Sequence, residues 1–600
     1  MAKGYIGKIL FVDLSKGEIK EEALDEKLSR DFIGGYGIGA RILYDRQKGG
    51  VDPLGPENTL GFMSGPLTGT PAVMGSRYAA VGKSPITGGW GDGSSGGYFG
   101  VYMKFAGYDG VFFTGISEKP VYLFLNDGKA ELRDAAHLWG EDTIETDDML
   151  TSELGDDVKV ACIGPGGEKL SLIACIFNDR GLATAGRSGL GAVMGSKKLK
   201  AIAARGNQKV ELADAETVDK IRRDMLSELR ASPGFDARRK YGTAGHADTS
   251  AYSGDTQVKN WGGVGIIDFP DAANLNGDAV IANQDKDWTC WHCPVACEGI
   301  MKEATGEYKY PAGSRRLEYE TLGAFGAMCL NNNLEAIGKA NDICNRYGID
   351  TIAAGTIIAF TMECYENGII TKEDTDGIEM TWGNHAALVA MTEKVAKREG
   401  LGAILADGVK VAAEKIGKGA EKYAVHIGGA ALGFHDPKLP SPRDPNSPAA
   451  ARYVMDATPG RHTQTFGKPS FKRHVLNATG LCLMGYGAVD SAKYIGKMLK
   501  AITGFDYTWD EVLEAGERIA NIRHAFNLRE GINPLKIPVH PRITGIPPQT
   551  EGPLAGVTTD LDAQIYWHLG SLDWDKETTK PSKEKLLALG LNDIAEELWG

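Results

Sequence analysis

Three cysteines fall within one short stretch, Cys290-Trp-His-Cys293-Pro-Val-Ala-Cys297, and no other feature restricts the fold as much. Thiolates spaced C-x2-C-x3-C can share one metal centre, and a fourth ligand must then come from elsewhere in the chain. Tetrahedral zinc and an iron–sulfur cluster are the two candidates. Four-cysteine zinc sites more often use two separate C-x2-C knuckles. Three clustered cysteines with one distant partner fit a cubane [4Fe–4S] cluster better. The radical-type motif has the reverse order, C-x3-C-x2-C, and does not match. The remaining reading is three thiols that bind nothing.

The rest of the composition narrows the function classes. Six hundred residues are enough for several domains and a large buried core. A net charge of −13 without a basic run argues against a nucleic-acid partner. No apolar stretch approaches the roughly 20 residues that span a bilayer; the best, Ile352 to Met362, is too short and runs into Glu363. The start, Met-Ala-Lys-Gly-Tyr-Ile-Gly-Lys, has no apolar signal region, so a cytoplasmic protein is expected. Nine cysteines in so long a chain do not make a disulfide scaffold. Cys162, Cys175, Cys329, Cys344 and Cys364 lie among apolar residues and read as small core side chains.

Hydrophobic patterning gives an α+β chain. Residues 1–208 are rich in short strands and glycine turns. Ile9 to Asp13 followed by Ser15-Lys-Gly17 reads as a hairpin, as does Val121 to Leu125 followed by Asn126-Asp-Gly128, where Asp-Gly supplies the positive φ of the turn. Val111 to Thr114 and Val158 to Ile163 are further strands, and two packed sheets are expected. After about residue 210 helices dominate. Val218, Ile221, Met225 and Leu229 mark one helix face behind an Asp214 cap. Leu334, Ile337, Ala340 and Cys344 follow a helical period that stops at Gly348. Thr351 to Asn367 is apolar almost all round and reads as a buried helix closed by Gly368. His385 to Lys397, Ile404 to Lys415, Trp509 to Leu528 behind Thr508, and Lys583 to Trp599 complete the helical set, and Pro437 to Pro448 reads as an irregular ordered segment. The expected division is a β-rich base (1–208) and two mostly helical domains (209–415 and 416–600).

Glycine-rich stretches mark candidate anion sites. Gly34-Gly-Tyr-Gly37-Ile-Gly39 lacks the G-x-G-x-x-G spacing and a preceding strand, so it is no dinucleotide fingerprint. Two others carry arginine or lysine beside exposed backbone N–H groups: Gly75-Ser-Arg77 through Asp92-Gly-Ser94-Ser95-Gly96-Gly97, and Ala185-Gly186-Arg187 through Gly195-Ser-Lys197. Two such pieces fit two phosphate groups; tight turns in a β domain are the plainer reading. A repeated hexapeptide adds a second signal. Asn345-Arg-Tyr-Gly348-Ile-Asp350 and Asn477-Ala-Thr-Gly480-Leu481-Cys482 each follow a helical run and turn at a glycine, so that polar ends can face one heterocycle. Two ordinary helix caps would look the same. The second copy ends in Cys482, the choice for the fourth cluster ligand.

Together these residues resemble the aldehyde:ferredoxin oxidoreductase family of tungsten enzymes. The resemblance runs over essentially the whole chain. Its most specific pieces are the three-cysteine motif, Glu318-Tyr319-Glu320-Thr, the two hexapeptides, His435-Asp-Pro, Ser84-Pro-Ile-Thr-Gly-Gly and the Ala185 to Lys197 stretch. It implies a two-sheet base carrying two helical domains, with a metal between two pyranopterins beside a [4Fe–4S] cluster. The metal is tungsten or molybdenum. Cys290, Cys293, Cys297 and Cys482 look like the cluster ligands. Arg77, the Asp92 to Gly97 loop with Ser94, Ser95 and Gly96, and Gly186-Arg187 look like phosphate contacts, with Mg2+ bridging the phosphates. The hexapeptides look like the pterin elements D-x-x-G-L-(C/D), supplying Asn345, Asp350, Asn477 and Leu481. Both first positions are Asn here, which costs charge in those contacts. Glu320, with Tyr319 beside it, looks like the active-site carboxylate, with Glu318 the alternative; His435 looks like the active-site imidazole. An E-x-x-H iron site joins subunits in some members; none falls near residues 330–345.

The implied activity is oxidation of small aldehydes to carboxylic acids, with electrons passing through the cluster to ferredoxin or a small ferredoxin-like subunit, in a homo- or hetero-oligomer. Glu320 would take a proton from the attacking water and His435 would hydrogen-bond the substrate oxygen. Reduction of aromatic acyl thioesters and oxidation of sugars are alternatives within the same fold. A cluster-bearing scaffold subunit and a zinc-structural protein are alternatives outside it.

Overall fold

The structure is a computed structural model and describes residues 2–439 and 449–600. The expected two-sheet base is present. The first sheet contains β1 (Lys8–Asp13), β2 (Glu18–Ala23), β3 (Leu60–Ser64), β4 (Tyr78–Lys83), β5 (Trp90–Ser95) and β6 (Gly110–Thr114), in the order β2-β1-β6-β3-β4-β5. The second contains β7 (Val121–Asn126), β8 (Lys129–Asp134), β9 (Lys159–Cys162), β10 (Ile176–Asn178), β11 (Ala183–Ala185) and β12 (Leu199–Arg205), in the order β11-β10-β9-β12-β7-β8. Each sheet is antiparallel apart from one parallel pair, β1–β6 in the first and β7–β12 in the second. Both hairpins read from Lys-Gly and Asp-Gly are formed, with Asp13 opposite Glu18 and Asn126 opposite Lys129.

Period-two alternation builds the layers. Leu10 and Val12 of β1, Phe62 of β3 and Phe113 of β6 share a core with Leu123 and Leu125 of β7 and Ile202 and Ala204 of β12. The intervening residues Ile9, Met63 and Phe112 belong to a second core with helices on the other side. Tyr122, Phe124, Val160 and Ala203 line the far face of the second sheet, where Leu150 covers them.

The helices that matter for the site are α1 (Gly35–Arg46), α2 (Leu190–Ser196), α3 (Ala215–Ala231), α4 (Tyr319–Phe325), α5 (Leu334–Tyr347), α6 (Thr351–Glu366), α7 (His385–Lys397), α8 (Pro469–Thr479), α9 (Ser491–Thr503) and α10 (Trp509–Arg529). Helix α3 starts at its Asp214 cap and buries the four expected residues, Val218, Ile221, Met225 and Leu229. They pack with Ile495, Met498 and Ile502 of α9 in the core that lies on the first sheet. Helix α6 is buried along Ile352 to Cys364, and Gly368, two residues past its end, has φ +67. It sits in the other helical core with Leu322, Ala324 and Phe325 of α4. Helix α10 opens with a full capping box between Thr508 and Glu511. The five cysteines read as core residues are buried and free.

Two expected helices are interrupted. The run 404–415 divides into Leu401–Leu405 and Val409–Ile416, and the run 583–599 into Lys583–Ala588 and Asn592–Trp599. The causes are Gly408 at φ +87 and Gly590 at φ +72, conformations that end a helix while the apolar spacing continues past them. Most of the segment Pro437 to Pro448 lies outside the described residues. The glycines at 34–39 follow a helix, Glu26–Phe32, rather than a strand. They serve close packing: a Cβ on Gly35 would lie 2.7 Å from the Asn477 carbonyl oxygen. No helix of the described residues is long and apolar enough to cross a membrane.

Candidate functional site

The sandwich delivers both glycine loops to one place. Strand β5 is an edge of the first sheet and β11 an edge of the second. They meet so closely that a Cβ on Gly93 would lie 2.8 Å from Ala185 backbone. Past their ends, Gly96 and Gly186-Arg187 therefore reach the wall of the same cavity, which with its mouth to solvent spans about 1380 Å³ of space not filled by atoms.

The three-cysteine loop joins β13 (Gln284–Trp288) to β14 (Glu298–Met301), a short antiparallel pair in which Trp288 lies opposite Glu298. Cys482 arrives from the other end of the chain. Helix α8 ends at Gly480 with φ +85, Leu481 pairs with Gly75 across an isolated bridge, and Arg77 N–H donates to the Gly480 carbonyl at 3.0 Å. Cys290, Cys293, Cys297 and Cys482 all line the cavity. The Arg77 guanidinium is anchored by Ser94, from Nε to Oγ at 2.9 Å and from Nη2 to the carbonyl at 2.6 Å, and its Nη1 lies 3.8 Å from Cys482 Sγ. Burial pushes the Cys290 thiol up to about 12, and proximity to Cys293 and Cys482 adds to the rise. Burial likewise pushes Cys293 up to about 11, against which the N–H groups of Ala296 and Val295 favour its thiolate. Burial raises Cys297 as well, and three thiols held in this way resist ionisation unless a cation joins them.

The hexapeptides differ in what they present. Asn345 and Asp350 line the cavity. The Asn345 Nδ2 is buried with no hydrogen-bond partner, while Asp350 caps α6 by accepting from Ile352 N–H at 3.0 Å and faces Arg187 Nε at 3.7 Å. Arg187 also donates to the carbonyls of Ala431 and of Gly460, the latter at 2.8 Å. Asn477 instead donates to Tyr36 Oη of α1 at 3.0 Å, Leu481 is fully buried, and Ser95 donates to Asn178 Oδ1 at 2.7 Å behind the wall.

Helix α4 supplies the carboxylates, and its two neighbouring glutamates meet opposite surroundings. Glu318 pairs with Arg315 and accepts from Thr243 Oγ1 at 3.3 Å. Burial raises its carboxyl, but Arg315 outweighs that and holds it below the usual range. Glu320 accepts from Phe434 N–H at 3.0 Å through Oε2, and its buried Oε1 has no hydrogen-bond donor. Burial pushes Glu320 up to about 7, with His435 and the Phe434 N–H opposing. Its Oε1 lies 3.2 Å from His462 Nδ1 and 4.0 Å from His435 Nε2. Tyr319 is buried beside it, stacked on the His435 ring at a centroid distance of 4.6 Å, and its Oη donates to the Phe434 carbonyl at 2.5 Å. Tyr319 and His435 thus stand behind Glu320 rather than in the cavity wall.

Three side chains here had no place in the sequence reading. His462 and Arg461 follow Gly460, the same glycine-then-cation signal that marked Gly186-Arg187. Arg461 donates to the Asp92 carbonyl, to the Gly186 carbonyl at 3.1 Å and to Ser188 Oγ at 3.2 Å, bridging both glycine loops. Asp255, whose Oδ2 lies 2.9 Å from His435 Nδ1, has no local signal at all.

Comparison with known proteins bears on this arrangement. Residues 9–206 match the family profile described as aldehyde ferredoxin oxidoreductase, N-terminal domain, and residues 220–591 match aldehyde ferredoxin oxidoreductase, domains 2 and 3. The chain belongs to the aldehyde ferredoxin oxidoreductase family. It is an oxidoreductase of that family. A tungsten-containing aldehyde ferredoxin oxidoreductase of Pyrococcus furiosus is 37% identical over 628 residues, covering 98% of this chain and 100% of the relative. A second family member, the WOR-like subunit of an aliphatic sulfonate oxidoreductase from the same organism, is 30% identical over 637 residues, covering 99% of this chain and 98% of the relative. The active-site complex BamBC of benzoyl coenzyme A reductase, solved with 1,5-dienoyl-CoA, shares the fold with a TM-score of 0.83 at 23% identity, covering 100% of this chain and 99% of that one.

Proposed function

We propose that this family member oxidises small aldehydes to carboxylic acids and passes the electrons singly to ferredoxin or a ferredoxin-like partner. The observation that carries this reading is the cavity itself: four remote-paired thiols and one unpartnered, buried carboxylate oxygen share its walls. The residues present fit a [4Fe–4S] cluster at the cysteines. Gly96 leaves the room it needs, since a Cβ there would lie 2.8 Å from Cys290 Sγ. They also fit a tungsten or molybdenum bis-pyranopterin in the remaining space, where Asn345 Nδ2 offers an unused donor and Arg187 and Arg77 offer charge. When bound, the metal–pterin centre supplies two-electron chemistry and the cluster passes electrons one at a time. No step is assigned to Mg2+. The Asp92 and Gly186 carbonyls already accept from Arg461, and the Asp92 carboxylate is engaged by Trp90 Nε1 at 2.7 Å and Arg523 Nη2 at 3.1 Å.

In this reading Glu320, not Glu318, takes the proton from the attacking water, because Glu318 is tied to Arg315. The Phe434 N–H holds Oε2 and leaves Oε1 free to act. A general base must be ionised to work. Turnover is therefore expected to rise with pH through about 7, the value to which burial pushes Glu320, and to be lost below it. A pH–rate profile with acceptor in excess checks this; a flat profile between pH 6 and 8, about one unit either side of that value, argues against Glu320 as base.

Gly96→Ala drives a methyl into Cys290 Sγ. We expect less iron per purified chain and a weaker visible band, measured by metal analysis and absorbance. The decisive experiment on function is an aldehyde panel with a viologen dye, run on anaerobically purified protein alongside metal analysis. Aldehyde-dependent dye reduction with tungsten or molybdenum present supports the reading. Thioester reduction without aldehyde turnover, or iron without either heavy metal, overturns it.

A further inference from the structure

We propose that Asp255 is the proton outlet of this site: protons taken up at Glu320 pass to His435 and leave to solvent through Asp255. The proposal rests on the aldehyde-oxidation reading. One aldehyde and one water give one carboxylic acid, two electrons and two protons. The aldehyde C–H and a water O–H bond break and a C–O bond forms. The electrons go to a one-electron acceptor, so the protons need a separate way out of a buried carboxylate.

The geometry provides one such way. His435 offers a different ring nitrogen to each neighbour, Nε2 to Glu320 Oε1 at 4.0 Å and Nδ1 to Asp255 Oδ2 at 2.9 Å. The longer step exceeds a hydrogen bond and is the span of a small rotation or one water. The ring is held for this task. Tyr319 stacks on it with planes 22° apart, Tyr453 Oη donates to the His435 carbonyl at 2.7 Å, and Asp436 N–H donates to the Asp255 carbonyl at 2.7 Å. Side-chain exposure is 16% at Glu320 against 31% at His435 and 26% at Asp255, so both groups beyond Glu320 are more open than it is.

The other imidazole does not serve. Among the described residues His462 makes no side-chain hydrogen bond that would carry a proton onward, and burial with the charges of His435 and Arg187 holds it neutral. Other groups also face His435 and Asp255: Ser250 Oγ and Tyr319 Oη donate to Asp255 Oδ2 at 3.4 and 3.5 Å. Arg452 opposes a charge on His435, His246 stacks on Tyr319 at 4.9 Å with its ring 6.5 Å from His435, and Asp436 is paired with Lys438 at 2.8 Å. Burial lowers His435, but Asp255 and Glu320 outweigh it and leave the imidazole above its ordinary value, so it can hold the proton that Glu320 passes on.

The test compares Asp255→Asn and Asp255→Glu in the cofactor-loaded chain. For Asp255→Asn we expect kcat to fall by about 10²-fold, aldehyde KM and metal content to stay at parental values, the solvent deuterium isotope effect on kcat to grow, and added imidazole buffer to restore part of the rate. Asp255→Glu should recover most of it. Unchanged kcat and isotope effect, or a loss that neither buffer nor glutamate relieves, overturns the relay. A readout independent of substrate separates this from the proposed reaction: histidine ring-carbon NMR, with the His435 signal identified by its loss in His435→Gln. Its titration midpoint should drop in Asp255→Asn. If the parent turns over no aldehyde, the reaction assigned above fails, and an unmoved midpoint rejects the relay on its own.

Discussion

Glu320→Gln is expected to lower kcat by about 10²- to 10⁴-fold, the usual range for removing a general base, with iron content, heavy-metal content and visible spectrum unchanged. The amide keeps the size of the side chain and its oxygen still accepts from Phe434 N–H, so helix α4 and the cavity wall should hold their shape. The change falls on Oε1. In the parent it is a buried acceptor with no donor, 3.2 Å from a His462 ring that burial and nearby cations hold neutral. A buried acceptor of that kind is costly in a resting protein and is expected where chemistry uses it. Glu318→Gln is the matched control. It removes a partner of Arg315 that Glu298 also holds, at 2.6 Å, so a moderate loss of stability with activity largely kept is the expected outcome. If the two variants behave in reverse, the base is Glu318. If neither loses activity, neither carboxylate acts in the reaction. The readouts are initial rates with a dye acceptor and metal analysis of the same preparations.

The parts of this protein that were legible in the sequence are those governed by short-range rules. Alternation in β1 and β7 placed the sheet core, the 3.6 period from Val218 to Leu229 placed α3, and C-x2-C-x3-C placed three neighbouring thiols on one turn between β13 and β14. Gly408 and Gly590 interrupt helices without disturbing the apolar spacing, so periodicity ran through them. The acid–base set was only partly legible for a different reason. Glu320 and His435 stood out through the family resemblance, whereas Asp255 and His462 sit in segments that are unremarkable alone, and only tertiary packing brings the four together. The hexapeptides show how far a local pattern reaches. Both copies turn at a positive-φ glycine, yet Asn345 keeps a free donor on the cavity side while Asn477 is taken by Tyr36. The difference lies in α1, whose glycines let it approach the end of α8.

Replacing Cys482 by serine should remove most of the iron and all aldehyde-dependent dye reduction, while Cys175→Ser should remove neither. The pair is informative because both sulfurs lie in the wall of one cavity. Their surroundings divide them. The ionisation of Cys290, Cys293 and Cys297 is opposed by burial first, Glu298 adds to the rise at Cys297, and proximity to Cys482 raises all three, as expected of sulfurs that lie near one another. Cys175 answers instead to burial, Asp350 and Arg187, and its Sγ accepts the Arg187 N–H at 3.2 Å, a bond that a serine oxygen can keep. If the four cysteines hold the proposed cluster, serine at 482 leaves three soft ligands and one hard one, with Arg77 Nη1 still aimed at the position. Binding to the folded state alone stabilises it, so cluster loss should also lower the Tm of Cys482→Ser and leave that of Cys175→Ser near the parental value. Iron analysis, the visible charge-transfer band and a thermal melt measure these effects on the same samples. Full iron in Cys482→Ser would mean that the fourth ligand is another residue, and iron loss in Cys175→Ser would mean that the cluster sits deeper, toward Asp350.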